Sequence, residues 1–201
     1  MSLQKPPKWL RQVSLAVKTV NPSQLLRVTR FGTGEPFFGK AGANRFDDPS
    51  KQVAVRFGTC YCSLHLDTAI AETVLHDEMP VKGRFRLSKS DFDSRYVARF
   101  DGEPLRLANL TGAHLKALGS DGALSTVTPY ALPQAWSKAI HGHPDAVDGI
   151  WFISRHLNDK PAVVVFERSG HKLLNPQYQP LIKAQGLSKA VKDLRIDFAF
   201  P

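Results

Sequence analysis

Cysteine is scarce in this chain of 201 residues, because only Cys60 and Cys62 are present. Side chains two positions apart in a strand point to the same face, and such neighbours do not easily form a disulfide bond with each other. Two cysteines without a second pair of ligands also make a poor zinc site. We therefore predict two small buried thiols, with Tyr61 on the opposite face, in a reducing cytoplasm.

Long apolar runs are also missing. No stretch approaches the roughly 20 apolar residues that a membrane-spanning helix needs. The basic N-terminus contains Pro6 and Pro7 but no continuous apolar segment, so it does not resemble a signal peptide. The sequence predicts a soluble, cytoplasmic protein with no membrane partner.

The glycine-rich turns that usually hold nucleotides are absent as well. Neither GxGxxG nor GxxxxGK[ST] occurs, and no GxSxG motif indicates a serine nucleophile. A nucleotide ligand would therefore have to be bound by side chains.

Acidic residues are outnumbered, with 18 Asp and Glu against 27 Lys and Arg, which gives a net charge of +9. This charge favours acidic partners, whether phosphate-bearing small molecules, nucleic acid or acidic protein surfaces. Residues 1–20 are basic and free of acidic residues, which a solvated terminus explains. We expect no direct nucleic-acid contact.

The length allows one compact domain. We assign residues 1–20 to an N-terminal extension, packed or frayed, and residues 21–201 to a single domain. Strands and short helices interleave without the regular alternation of a doubly wound sheet, which predicts the α+β class. Residues 53–57 and 59–64 are predicted to form a hairpin about Gly58, and Asp67 is predicted to cap a helix over residues 68–76.

Two motifs stand out at residues 41–76 and 148–156. They read AGANRFDDP followed by CYCSLHLDTAIAETVLH, and DGIWFISRH. The first resembles the opening motif of the RES domain family, GGRWN…YxAxxxxxAxxE, and the second resembles the family's serine motif. The match covers roughly residues 25–167. This sequence departs from the pattern at Ala43-Asn44, where the family has Gly-Gly, and at Phe46-Asp47, where it has Trp-Asn.

This resemblance implies an ADP-ribosyltransferase-like fold, with a mixed or antiparallel split sheet and short flanking helices. It also implies a toxin that consumes NAD and is neutralised by an Xre-type antitoxin, through which any DNA contact would be made. NAD would be the substrate, and no other cofactor is expected.

The family's motif residues fall on Arg45, Tyr61, Glu72 and Ser154, which we take as the catalytic set. Glu72 would stabilise positive charge on the ribose as nicotinamide leaves, although a glutamate early in a helix is often only a solvated charge. Tyr61 would stack on nicotinamide, unless it is a core tyrosine. Arg45 would bind the pyrophosphate or fix the ribose beside Glu72. Ser154 would position groups by hydrogen bonding.

The resemblance adds Arg27 and Phe46 as substrate-binding residues. His141 and His143 form an HxH pair, but the surrounding GHP sequence is typical of a turn that ends a helix, so we expect no metal. The acceptor of the cleaved sugar stays open between water and phosphate. ADP-ribose transfer to a macromolecule and a non-catalytic basic binding module are the alternatives.

Overall fold

The fold is organised around one large mixed sheet. A computed structural model describes residues 3–199. Its ten strands are β1 (Val17–Val20), β2 (Leu26–Thr29), β3 (Thr59–Ser63), β4 (Phe85–Ser88), β5 (Tyr96–Asp101), β6 (Leu105–Asn109), β7 (Gly149–Ile153), β8 (Pro161–Phe166), β9 (Leu174–Pro180) and β10 (Ile196–Ala199). Eight of them pair in the order β1-β6-β7-β8-β3-β2-β5-β9, while β10 and β4 form a separate parallel pair. Within the large sheet β6 and β7 are parallel, and every other neighbouring pair is antiparallel.

Short helices flank the sheet. They are α1 (Leu66–Thr73), α2 (Ser90–Asp93), α3 (Gly112–Ala117), α4 (Ala123–Thr126), α5 (Ala131–His141) and α6 (Leu187–Asp193). Single 3-10 turns occur at Lys8–Gln12, Pro22–Gln24, Val53–Val55, Glu167–Lys172 and Leu181–Lys183. The expected α+β class, with a mixed sheet and short flanking helices, is confirmed.

The strand alternation divides the core between the faces of the sheet. On β8, Val164 and Phe166 pack with Trp136 of α5, whereas Val163 and Val165 pack with the two cysteines of β3. Cys60 and Cys62 are both buried, and their sulfurs lie 4.0 Å apart. The predicted shared face of the thiols is thereby confirmed. Tyr61, between them, packs against the opposite cluster with Val164.

The predicted hairpin about Gly58 is wrong. Val53–Val55 forms a 3-10 turn whose valines are more than half exposed, and β3 pairs instead with β8 and β2. The branched side chains of residues 53–57 suit a strand, but an exposed surface loop offers them no pairing partner. Local β propensity was overridden by the tertiary context.

The predicted N-cap at Asp67 is also wrong, because α1 begins two residues earlier. Leu66 is the first helical residue and packs into the cluster that contains Ile70. Asp67 lies in the first turn, where its carboxylate accepts a hydrogen bond from the Thr68 backbone and pairs with Lys160. An acidic side chain there also complements the helix dipole.

Residues 3–20 are packed against the rest of the chain. Leu3, Leu10 and Leu15 are buried in the cluster around Trp136. β1 adds to the sheet edge by pairing with β6. No helix among the described residues is long and apolar enough to cross a membrane.

Candidate active site

A cavity of about 400 Å³ opens beside the centre of the sheet, where β2 and β3 face α1 and the loop between β2 and β3. This volume falls within the range of small-molecule sites. Four of the six residues that the sequence singled out line it: Arg27, Arg45, Tyr61 and Glu72. β3 and α1 are consecutive, so the chain itself places Tyr61 and Glu72 on adjacent walls.

Glu72 points into the cavity from the last turn of α1 and is held from behind by Ser154. The Ser154 hydroxyl donates a hydrogen bond of 2.5 Å to Oε1 of Glu72. The same hydroxyl oxygen accepts hydrogen bonds of 3.1 Å from the backbone N–H groups of His156 and Leu157. Since both backbone groups are donors, the hydroxyl proton must point to the carboxylate.

Ser154 itself is 1% exposed and does not line the cavity that Glu72 enters. It follows β7, whose run of apolar residues ends in the loop that carries it. This placement suits a residue that orients the carboxylate, as its motif position implied, and does not suit a nucleophile that attacks substrate.

Arg45 is 7% exposed and approaches the cavity from the long loop after β2. Its Nη1 donates a hydrogen bond of 2.8 Å to the carbonyl oxygen of Val127. Its guanidinium lies over the Tyr130 ring, 4.6 Å from the ring centroid. Burial lowers the pKa of Arg45, an effect that the nearby Tyr130 and Glu72 oppose. The second terminal nitrogen, Nη2, is buried with no hydrogen-bond partner. A buried donor of this kind is costly unless a ligand accepts from it.

Tyr61 is fixed through its hydroxyl, while its ring lines the cavity. The hydroxyl donates a hydrogen bond of 3.1 Å to the Asp47 carboxylate and accepts one of 2.9 Å from the Phe46 backbone N–H. Burial, followed by the negative charge of Asp47, raises the pKa of Tyr61 well above its usual value, so the phenol stays protonated. Asp47 also accepts hydrogen bonds from Thr59 and the Asn44 backbone, which ties the loop to β3.

Arg27 and Phe46 differ from each other in placement. Arg27 lines the cavity, but its guanidinium is engaged by Glu35 at 2.8 Å and by the Tyr61 carbonyl at 2.9 Å. Phe46 is fully buried and packs edge-on against Phe152, with ring centroids 4.7 Å apart. The structure therefore places Phe46 behind the cavity wall, where it supports Tyr61 through its backbone N–H.

Sequence reasoning missed several residues at the site: Asp47, His76, Tyr130, Arg155 and His156. Tyr130 and Arg155 come from distant parts of the chain and are joined by a hydrogen bond of 3.2 Å. Nothing in the local pattern marks Tyr130. Asp47, His76, Arg155 and His156 lie within the two motifs, which was the available signal.

His141 and His143 do not converge. The His141 ring stacks on Phe57, with centroids 4.1 Å apart, and the pKa of His141 is lowered by burial. The buried His143 ring bonds through Nε2 to the carbonyls of Leu10 and Val13. α5 ends at His141, as the GHP sequence predicted.

The fold and cavity together define an α+β protein with a small-molecule-sized cavity, lined by a serine-held carboxylate and by an arginine with one unpaired nitrogen. The family model described as RES domain matches residues 24–184. The chain belongs to the RES domain family.

A chain in the crystal structure of the M. tuberculosis MbcT-MbcA toxin-antitoxin complex has a similar fold. The TM-score is 0.53, the sequence identity is 13%, and the alignment covers 90% of each chain. No curated protein matches this chain.

Proposed function

We propose that this protein is a toxin that depletes NAD by cleaving the bond between nicotinamide and ribose. The observation that carries the proposal is the Ser154–Glu72 pair, which holds a carboxylate in a cavity also lined by Arg45 and Tyr61. These are the residues that the RES motifs single out.

The carboxylate suits the reaction because the nicotinamide of NAD is a cationic leaving group. As the N-glycosidic bond breaks, its electron pair leaves with nicotinamide and positive charge develops on the ribose. A fixed negative charge beside that ribose stabilises the transition state without reorganising. Ser154 holds Glu72 in place through its hydrogen bond to Oε1 and does not engage Oε2.

Arg45 and Tyr61 suit the two ends of such a ligand. The unpartnered Nη2 of Arg45 offers a buried donor for a ribose hydroxyl or a pyrophosphate oxygen. The Tyr61 ring, held by Asp47, presents an aromatic surface on which the nicotinamide cation can stack. Arg27 is already paired with Glu35, so it contributes positive charge at the cavity wall but is less free to bind substrate.

The acceptor completes the reaction. Attack of water on the ribose carbon gives ADP-ribose, nicotinamide and a proton, whereas attack of inorganic phosphate gives phosphorylated ADP-ribose and nicotinamide. Neither route requires a cofactor besides the substrate. The net charge of +9 is compatible with an anionic acceptor.

A partner is part of the proposal. The similar fold belongs to a chain of a toxin-antitoxin complex. An antitoxin, of the Xre type that RES motifs imply, would restrain this chain by covering the cavity. An acidic partner surface would complement the basic chain.

Labelled NAD tests the reaction and identifies the acceptor. Purified protein is incubated with NAD labelled in the adenosine half, with and without phosphate, and both small products and precipitated macromolecules are analysed. We expect nicotinamide release, with label recovered in ADP-ribose or in its phosphorylated form.

Two results would redirect the proposal. Label fixed on protein or nucleic acid would indicate ADP-ribose transfer. Intact NAD under all conditions, together with salt-sensitive binding that survives loss of Glu72, would indicate a basic binding module.

A further inference from the structure

Three side chains with metal-binding atoms converge at the edge of the cavity. Glu72 lies in the last turn of α1, His76 lies in the turn that follows the helix, and His156 comes from the loop after β7. Each offers one ligand atom, and these atoms all lie within 4.8 Å of one another. α1 ends at Thr73, and the turn that follows brings His76 back beside Glu72.

His156 carries the second observation. Its Nε2 is buried and has no hydrogen-bond partner. It lies 3.8 Å from Oε2 of Glu72, a distance too long for a hydrogen bond. Buried polar atoms nearly always have a hydrogen-bond partner. The described residues supply none for this nitrogen, which is therefore free to bind a ligand.

One oxygen of Glu72 lies beside the unpaired nitrogen of His156. Ser154 occupies Oε1 of Glu72, which leaves Oε2 facing His156. The rings of His76 and His156 lie with centroids 5.0 Å apart and tilted by 48°, so they are not stacked on each other. His76 is 41% exposed and can rotate toward the other two ligands.

We propose that Glu72, His76 and His156 bind Zn²⁺, and that the ion inhibits the enzyme by occupying the Glu72 carboxylate. Two imidazoles and one carboxylate are a typical zinc donor set, with a fourth position open to water. Tetrahedral coordination at ordinary zinc distances puts ligand atoms about 3.3 Å apart. The three ligand atoms, now within 4.8 Å of one another, would close around the ion by rotation of the exposed His76 side chain and a small approach of Glu72 and His156.

The charges around the cluster decide which ion it accepts. Arg45 and Arg155 both lie near enough to act electrostatically on His156. Their positive charge repels any cation at this site. Zn²⁺ compensates for the repulsion by forming strong bonds to imidazole nitrogen, which a hard cation does not form. Mg²⁺, which prefers oxygen ligands and keeps its water, should not bind.

The inhibitory half of the inference rests on the proposed function. A dication bound to Glu72 replaces negative charge with positive charge at the place where the ribose becomes positive. The transition state is then destabilised instead of stabilised. A zinc ion here differs from the sequence-based expectation of no metal, which had weighed only His141 and His143.

Metal binding is measured first, on tag-free full-length protein in phosphate-free buffer, by titration with Zn²⁺ and by the visible absorption of bound Co²⁺. We expect one Zn²⁺ per chain and at least tenfold weaker binding in His76→Asn and in His156→Asn. His114→Asn, an exposed histidine on α3, is the matched control and should bind as wild type does. Absence of stoichiometric binding, or unchanged affinity in His76→Asn, would overturn the site.

Inhibition is measured separately as nicotinamide release at buffered free Zn²⁺, each variant being compared with its own rate without metal. Wild type should lose at least tenfold in rate and recover when a chelator is added, whereas His76→Asn should require at least tenfold more Zn²⁺. Stoichiometric binding without inhibition would overturn the regulatory role. A wild type that binds Zn²⁺ but never cleaves NAD would contradict the proposed function and leave the metal site supported.

Discussion

At the scale of residues, the hydroxyl group of Ser154 sets the orientation of the Glu72 carboxylate. Ser154 accepts two backbone hydrogen bonds and is left with one proton, which goes to Glu72. The carboxylate is thus oriented by a group that is itself fixed by the backbone of the following turn. Glutamate side chains are otherwise mobile, so this arrangement lowers the cost of aligning the carboxylate with substrate.

Replacing Ser154 by alanine should therefore impair catalysis more than binding. We expect kcat to fall about 10-fold to 100-fold, with a smaller change in KM, because Glu72 keeps its charge but loses its orientation. Steady-state kinetics of nicotinamide release measures this split.

Ser120→Ala is the matched control, because Ser120 is a buried serine whose hydroxyl has no partner and does not touch Glu72. Its kinetic constants should stay close to those of wild type. Equal kcat in Ser154→Ala and wild type would contradict the positioning role.

At the scale of elements, the Asp148 carboxylate connects β7, which precedes Ser154, to its neighbours in the sheet. Asp148, immediately before β7, accepts hydrogen bonds from the Arg106 backbone of β6 and from Ser169 and Lys172 of the 3-10 turn after β8. Burial would raise the pKa of Asp148, but these hydrogen bonds and the Lys172 charge hold it below its ordinary value of 3.8. The carboxylate is therefore favoured in the folded state.

The stability contributed by Asp148 should depend on pH. Because the folded pKa is the lower one, the contribution is complete above the unfolded value near 3.8 and is lost as pH falls through the folded value. Asp148→Asn should cost about 1–3 kcal/mol of unfolding free energy at pH 7, and the difference from wild type should shrink below about pH 4.

Denaturant unfolding across this pH range measures the effect, with Asp77→Asn as control. The Asp77 side chain is 95% exposed, so its replacement should change little. A deficit in Asp148→Asn that stays constant from pH 7 to pH 3 would contradict the role assigned to the charge.

The sequence predicted those elements whose signals are local. β7 and β8 are continuous apolar runs, and α5 ends where a turn motif predicts. The step from Tyr61 to Glu72 is equally local, since a strand passes directly into a helix. The hairpin predicted at residues 53–64 does not form, because strand pairing depends on the rest of the sheet. β3 pairs with β8, about 100 residues later, and with β2, where Leu26 lies opposite Ser63.

The candidate site was predictable to the same extent. The motif residues Arg45, Tyr61 and Glu72 line one cavity. Tyr61 and Glu72 meet there because β3 and α1 are consecutive in the chain, and Arg45 joins them from the preceding loop. Tyr130, which lies under the Arg45 guanidinium, and His156, whose ring faces Glu72, arrive through tertiary packing. No spacing rule connects positions 45 and 130.

At the scale of the whole molecule, residues 3–20 contribute to the domain core. Leu10 is 1% exposed, the Trp136 indole donates to the Gln4 carbonyl, and His143 bonds to two carbonyls of the same segment. β1 then covers the edge of the sheet at β6. The assignment of residues 1–20 to an extension stays a prediction, and this packing makes it testable.

Deleting residues 1–20 should prevent stable folding, because it removes core side chains and exposes a sheet edge. Leu10→Ala should lower the unfolding free energy by about 2–5 kcal/mol. Trp9→Ala, at a neighbouring side chain that is 42% exposed, should cost less than about 1 kcal/mol. Thermal unfolding compares the three, and a truncated protein with the melting temperature of the full chain would show that the segment is dispensable.

The central claim is that the carboxylate of Glu72 drives cleavage of NAD, and the rate of nicotinamide release tests it most directly. Glu72→Gln keeps the size and the hydrogen bond to Ser154 while removing the charge. Glu78→Gln changes an exposed glutamate six residues further on. We predict release by wild type and Glu78→Gln at similar rates, and a loss of at least about 100-fold in Glu72→Gln. Release by Glu72→Gln at the wild-type rate, with both proteins folded, would contradict the account.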